Sequence, residues 1–210
     1  MTKSSLKPKN WPQEVQYLTS LSLMPSVDLA TLRLPNPGTL PLIAPLPAAP
    51  SLWTNILPIT DPTHPAFGQN GLFATRSLSP GSFILFYLGL VHTSATTDPA
   101  SDYDLSLDRE HDISIDATRC GNEARFINDY RGVRSEGPNA EFRDCAFEVS
   151  AGVWEKRIGV FVLDKGKSPK GPRAKGIAKG QEIVVSYGKG FWNARHVASE
   201  LTATVETNLN

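Results

Sequence analysis

The chain has 210 residues, 40% of them hydrophobic and 20% charged, which is typical of a globular protein rather than a disordered or fibrous one. Lys plus Arg number 21, as do Asp plus Glu, so the net charge does not point to a nucleic-acid or membrane-surface partner. Two cysteines, Cys120 and Cys145, are too few for a zinc site or a disulfide framework. We interpret them as free thiols, with a single disulfide as the alternative.

No secretory signal is visible near the N-terminus. The most apolar run, Phe83 to Val91, is far shorter than the ~20 residues that span a bilayer. The sequence therefore predicts an intracellular protein, and no feature separates nucleus from cytoplasm.

Residues 1–60 are rich in proline, with ten of the 17 prolines before residue 59. Because proline fixes φ and removes a backbone donor, residues 35–50 are not expected to form a long helix, whereas residues 11–18 suit one short helix. We predict an N-terminal extension over residues 1–60 that wraps a domain surface, with partial disorder as the alternative.

From residue 68 onward, short β-prone runs alternate with turn residues. The runs predict strands at 82–87, 112–116, 146–149, 157–163 and 181–187, with a hairpin across residues 150–156. In the run 112–116, Ile113 and Ile115 fall on one face. The pattern predicts a mainly β, β-rich α+β domain over residues 61–192, followed by a helical tail over residues 193–210.

A long loop carries six basic residues and no acid between positions 165 and 179. One interpretation is a solvated surface loop. The other is a rim that attracts an acidic partner, such as a nucleosome, through Lys165, Lys167, Lys170 and Arg173.

Four motifs occur one after another along the chain. They are Gly68-Gln-Asn-Gly-Leu-Phe-Ala74, Asp102-Tyr-Asp-Leu105, Gly121-Asn-Glu-Ala-Arg-Phe-Ile-Asn128, and Gly180-Gln-Glu-Ile183 with Tyr187-Gly188 and Phe191-Trp192. The first is weak alone, since glycine turns are common, but the third is specific. In this order, the motifs resemble the SET-domain protein-lysine methyltransferase family across residues 68–192.

The residue types also suit methyl transfer to an amine. The lysine must be neutral although its ordinary pKa is ~10.4, and an apolar channel lowers that pKa. Alignment of amine and methyl carbon then contributes much of the rate, without a metal or a covalent nucleophile. The matched segments are rich in aromatic residues, and no convincing Ser/His/Asp or Cys/His set is present. The histidines His64, His92, His111 and His196 are interpreted as structural or surface residues.

The resemblance implies S-adenosylmethionine as cofactor, no metal, and a lysine of a histone or non-histone protein as substrate. It also implies a fold of small sheets with a C-terminal pseudoknot. Tyr187 is the implied catalytic tyrosine, with Tyr103 beside the lysine channel, and Trp192 is expected to help close the pocket. The implied cofactor-binding residues are Gln69, Asn70, Tyr103, Arg125, Phe126, Asn128, Asp129 and Phe191. The alternative function is a catalytically inactive SET-fold binding module.

Structural alternatives stay open for several of these side chains. Asn128 could cap a turn, and Tyr103 could be an aromatic residue of the core. Arg125 could form an ion pair with Asp116 or Glu123.

The sequence also departs from the family. Asp129 stands where the family usually has histidine, and Val185 where an aromatic residue often sets the number of methyl groups added. Methylation state therefore stays undetermined. The family's zinc-binding flanks are absent, so the N-terminal segment or the C-terminal helix is expected to complete the substrate channel.

Overall fold

The computed structural model describes residues 7–168, 171–188 and 191–192. Lys170 and the predicted helical tail over residues 193–210 lie outside these residues. Short strands dominate the described ranges, which confirms the predicted β-rich fold of small sheets. Three 3₁₀ helices, Leu29–Leu32, Ser94–Thr96 and Glu123–Phe126, interrupt them, and residues 188, 191 and 192 are helical.

Apart from β13 and β14, the strands are short because turn residues recur every few positions along the chain. They are, in order, β1 (Gln16–Tyr17), β2 (Ser22–Leu23), β3 (Arg33–Leu34), β4 (Leu42–Ile43), β5 (Thr54–Pro58), β6 (Asn70–Ala74), β7 (Phe83–Phe86), β8 (Leu90–His92), β9 (Asp104–Asp108), β10 (Ile113–Asp116), β11 (Cys120–Gly121), β12 (Asn128–Asp129), β13 (Ala140–Ser150), β14 (Val153–Val162) and β15 (Val184–Val185).

The largest sheet is built on a long antiparallel hairpin of β13 and β14, with β3, β4 and β7 added at its sides. The sequence predicted shorter strands and a connection across residues 150–156. The structure instead pairs Ser150 with Val153, so the turn has two residues. Gly152 at φ 72° makes this tight turn possible, since glycine adopts positive φ without a steric penalty.

A second sheet has the order β2-β8-β10-β9. The predicted alternation in β10 is confirmed, because Ile113 and Ile115 are buried on one face while Ser114 lies on the other. Both isoleucines join the main core, which also receives Val91 from β8 and Leu107 from β9.

The N-terminal segment contributes to these sheets and to the core. β1 pairs in parallel with β11, and β2 pairs in parallel with β8. The predicted helix over residues 11–18 is wrong, since residues 16–17 form a strand. Val15 and Tyr17 are buried while Gln16 is exposed, a period of two that an extended chain satisfies and a helix does not.

The C-terminal segment passes between two distant parts of the chain. β15 pairs in parallel with β12, and on its other side Asn139 accepts from Val184 N–H and donates to the Glu182 carbonyl oxygen. The segment is thus hydrogen-bonded to both ends of the loop between residues 129 and 139. This is the expected pseudoknot. It places Tyr187, two residues after β15, beside Asp129.

Both cysteines are buried and free. None of the helical segments among the described residues has the length and apolar content needed to cross a membrane.

Candidate functional site

A cavity of about 590 Å³ lies beside the pseudoknot. It is formed by the turn before β6, by the 3₁₀ helix Glu123–Phe126, by β12 and by the residues that follow β15. All nine residues that the sequence singled out for the catalytic or cofactor site line it: Gln69, Asn70, Tyr103, Arg125, Phe126, Asn128, Asp129, Tyr187 and Phe191. Trp192 lines it as well.

A second cavity, of about 310 Å³, is also lined by Tyr187. Its walls include Tyr87, Leu105 and Phe142, and the rings of Tyr87 and Phe142 meet edge to face at 5.4 Å. Five residues border both cavities: Asp102, Tyr103, Arg125, Tyr187 and Phe191. The two cavities therefore share a wall formed by these residues.

Tyr187 is fixed at this wall through both its side chain and its backbone. Its hydroxyl donates to the Ile127 carbonyl oxygen at 2.7 Å, and its ring packs edge to face on Phe191 with centroids 4.8 Å apart. Burial raises the pKa of Tyr187, and the neighbouring Tyr103, Asp129 and Glu182 raise it further. The phenol therefore stays protonated at neutral pH and keeps its hydrogen bond.

The family model described as SET domain matches residues 69–188, more than half of the 210 residues. The chain belongs to the SET-domain family. The matched region runs from Gln69 at one side of the larger cavity to Gly188, directly after Tyr187.

Two solved structures are similar to this SET domain. One is apo ctPRC2 with mutations in Ezh2, at a TM-score of 0.43 and 23% identity over 61% of this chain and 14% of that chain. The other is an active polycomb repressive complex 2 in the stimulated state, at a TM-score of 0.40 and 22% identity over 57% of this chain and 14% of that chain. Similarity at this level carries no information on substrate or partners. A search of curated proteins found no match.

Asp129, which departs from the family's usual histidine, holds the site together through its side chain. Its Oδ2 accepts from the Tyr187 backbone N–H at 2.8 Å and from Trp192 Nε1 at 3.3 Å. The guanidinium of Arg131 donates to the same carboxylate at 2.8 Å, and the Arg131 backbone N–H donates to Oδ1. Burial acts to raise the pKa of Asp129, but these hydrogen bonds outweigh it and lower the pKa. The Asp129 carboxylate is thus charged, and these donors largely offset the cost of burying its charge.

Arg125 takes neither of the ion-pair partners suggested by the sequence. Within the described part of this SET domain, its Nε donates to the Ala117 carbonyl oxygen at 3.0 Å, and its guanidinium stacks over the Tyr103 ring at 4.4 Å. Glu123 instead accepts from the Tyr17 hydroxyl and from Ser51 N–H. Arg125 therefore orients Tyr103 at the shared wall.

Several residues of the larger cavity were not predicted from the sequence. Pro12 and Glu14 line it because Trp11 packs edge to face on Phe126 at 5.6 Å and brings the N-terminal segment against the site. Arg131 lines it two positions after Asp129, where the spacing was a usable signal for a local ion pair.

His64 also lines the larger cavity, although the sequence pointed only to a structural or surface role. The described residues of the basic loop are not among those that line either cavity, and its Lys165, Lys167 and Arg173 are exposed.

Proposed function

We propose that this SET domain transfers a methyl group from S-adenosylmethionine to a lysine side chain of a protein, histone or non-histone. The proposal rests chiefly on the wall that the two cavities share at Tyr187 and Tyr103. Such a wall lets a donor and an acceptor enter from different sides and meet in a fixed orientation. Fixing two reactants in this way removes much of the entropic cost of the reaction.

The larger cavity suits the cofactor in size and chemistry. Its volume falls within the roughly 300–1,000 Å³ of small-molecule sites. S-adenosylmethionine supplies an electrophilic methyl group on a sulfonium. In the proposed complex, Gln69 and Asn70 would offer main-chain groups, and Asn128 would hold the amino-acid end. Arg125 and Phe126 would line the pocket, and Phe191 and Trp192 would cover the adenine or close the pocket.

The smaller cavity suits the lysine side chain. Aromatic and aliphatic walls from Tyr87, Leu105 and Phe142 disfavour an ammonium ion and so lower the pKa of a lysine that enters. Two carboxylates, Asp102 and Asp104, border the same space, and Asp104 Oδ1 bonds to His92 Nε2 at 3.1 Å. The lysine nitrogen, once neutral, forms its bond to the methyl carbon as the carbon–sulfur bond breaks.

Tyr187 is the proposed catalytic residue. Because its hydroxyl proton is committed to the Ile127 carbonyl, its oxygen lone pairs remain to accept from the incoming amine or from polarised methyl C–H groups. These contacts strengthen as charge redistributes in the transition state, which is the condition for a rate effect.

Two measurements test the proposal. Calorimetry with S-adenosylmethionine and S-adenosylhomocysteine should detect binding of both. Incubation with labelled donor and candidate proteins, followed by mass spectrometry, should place the label on lysine. Cofactor binding without transfer to any protein would favour the inactive binding module, and no binding of either compound at millimolar concentration would refute the proposal.

A further inference from the structure

His64 lies in the turn that connects β5 to β6, and its imidazole is held on both nitrogens. The Ala66 backbone N–H donates to Nδ1 at 3.0 Å, so Nδ1 is an acceptor and carries no proton. In the neutral ring the proton then sits on Nε2, which lies 3.0 Å from Glu182 Oε2. The imidazole is a donor to the Glu182 carboxylate in a tautomer fixed by the backbone.

The Glu182 carboxylate is shared between two donors. One oxygen faces His64, and the other accepts from Asn128 Nδ2 at 2.8 Å. The side chains of His64 and Glu182 are only 10% and 9% exposed, so water competes little for these bonds. Glycine at position 71 makes the arrangement possible, because a Cβ there would lie 2.6 Å from Glu182 Oε1.

These contacts determine the orientation of the Asn128 amide. Its Nδ2 faces two acceptors, Glu182 Oε1 and the Asn70 carbonyl oxygen at 3.4 Å. A flipped amide would place Oδ1 against both acceptors, so the flip is unfavourable. The cavity-lining Asn128 therefore keeps Oδ1 as an acceptor for a ligand.

We propose that His64 is a positioning residue that acts through Glu182 to orient Asn128 for a cationic ammonium group. The inference deepens the proposed function and rests on it, since the ammonium belongs to the amino-acid end of the cofactor. His64 restrains one carboxylate oxygen, so the other stays in place for Asn128. Without His64, Glu182 is less restrained, and the amide is oriented mainly by the longer bond to the Asn70 carbonyl oxygen.

Two probes separate positioning from general stability. S-adenosylhomocysteine carries the amino-acid end, whereas 5′-methylthioadenosine shares the nucleoside but lacks that end. In calorimetry on the full chain, His64→Leu should weaken S-adenosylhomocysteine about 10- to 100-fold, the range expected for one hydrogen bond to a charged group. Binding of 5′-methylthioadenosine should change less than about 2-fold, within the spread of surface substitutions.

Two further variants sharpen the test. His64→Gln retains a donor near the position of Nε2 and should recover most of the affinity for S-adenosylhomocysteine. His111→Leu is the matched control, because His111 is 57% exposed and is not among the cavity-lining residues, and both probes should bind it like wild type.

The outcomes are distinguishable. Equal weakening of both probes in His64→Leu would make the role structural and overturn the inference, as would wild-type binding of both. Failure of the wild-type chain to bind either probe would count against the proposed function itself.

Discussion

Asp129→Asn is the most informative single change, because it keeps the shape of the side chain but removes its charge and one acceptor oxygen. In the native protein, the two oxygens accept from the backbone N–H groups of Tyr187 and Arg131, each at 2.8 Å. An asparagine has only one acceptor oxygen, so one of these donors faces an amide NH₂ group. An unsatisfied buried donor costs about 1–3 kcal/mol.

The ion pair between Asp129 and Arg131 contributes less to stability than these backbone hydrogen bonds. The Arg131 side chain is 39% exposed, so solvent screens the pair and its loss costs at most about 1 kcal/mol. We therefore expect Asp129→Asn to lower the free energy of unfolding by about 1–4 kcal/mol, measured by urea denaturation at pH 7. Turnover should fall as well, since the Tyr187 backbone loses its anchor.

The pH dependence of the stability difference tests whether the Asp129 carboxylate charge causes the loss. The pKa of Asp129 is lowered in the folded state despite its burial, because the hydrogen bonds from Tyr187, Arg131 and Trp192 favour the carboxylate. A lowered folded pKa contributes stability that is present above the unfolded value of ~3.9 and is lost as pH falls through the folded pKa. The stability difference between wild type and Asp129→Asn should thus be constant above about pH 5 and shrink below about pH 4.

Arg131→Met is the matched control. It removes the ion pair but keeps both backbone hydrogen bonds, so it should cost less than about 1 kcal/mol. An Asp129→Asn protein within about 0.5 kcal/mol of wild type, or a difference unchanged down to pH 3, would refute the assigned role.

Two further predictions concern chemistry and partners. Tyr187→Phe should lower turnover on a validated substrate by about 10²–10³, while the affinity for S-adenosylmethionine stays near wild type. Asn128→Ala, in contrast, should weaken cofactor binding first. Full turnover in Tyr187→Phe would show that the tyrosine hydroxyl has no part in the mechanism. If the basic loop binds a polyanion, replacing Lys165, Lys167, Lys170 and Arg173 by serine should reduce the slope of log affinity against log salt on DNA or nucleosomes by about 3–4. An unchanged slope would leave the loop a solvated surface.

Local sequence patterns were sufficient to predict several features of the fold and of the candidate site. Alternation in β10 predicted which faces Ile113 and Ile115 present, and the ordered motifs predicted a family and a set of residues that line one cavity. Such features depend on neighbours within a few positions, where strand periodicity and turn chemistry dominate. The roles of those residues in cofactor binding and catalysis stay predictions.

Other features depend on contacts between distant parts of the chain. The propensity of residues 11–18 suggested a helix, but pairing with β11 and burial of Tyr17 against Glu123, 106 positions away, favoured a strand. His64 and Glu182 are 118 positions apart, and no local pattern marks them as partners. Only the folded chain brings them together, because burial of the shared core outweighs weak local preferences and determines which polar groups must satisfy one another.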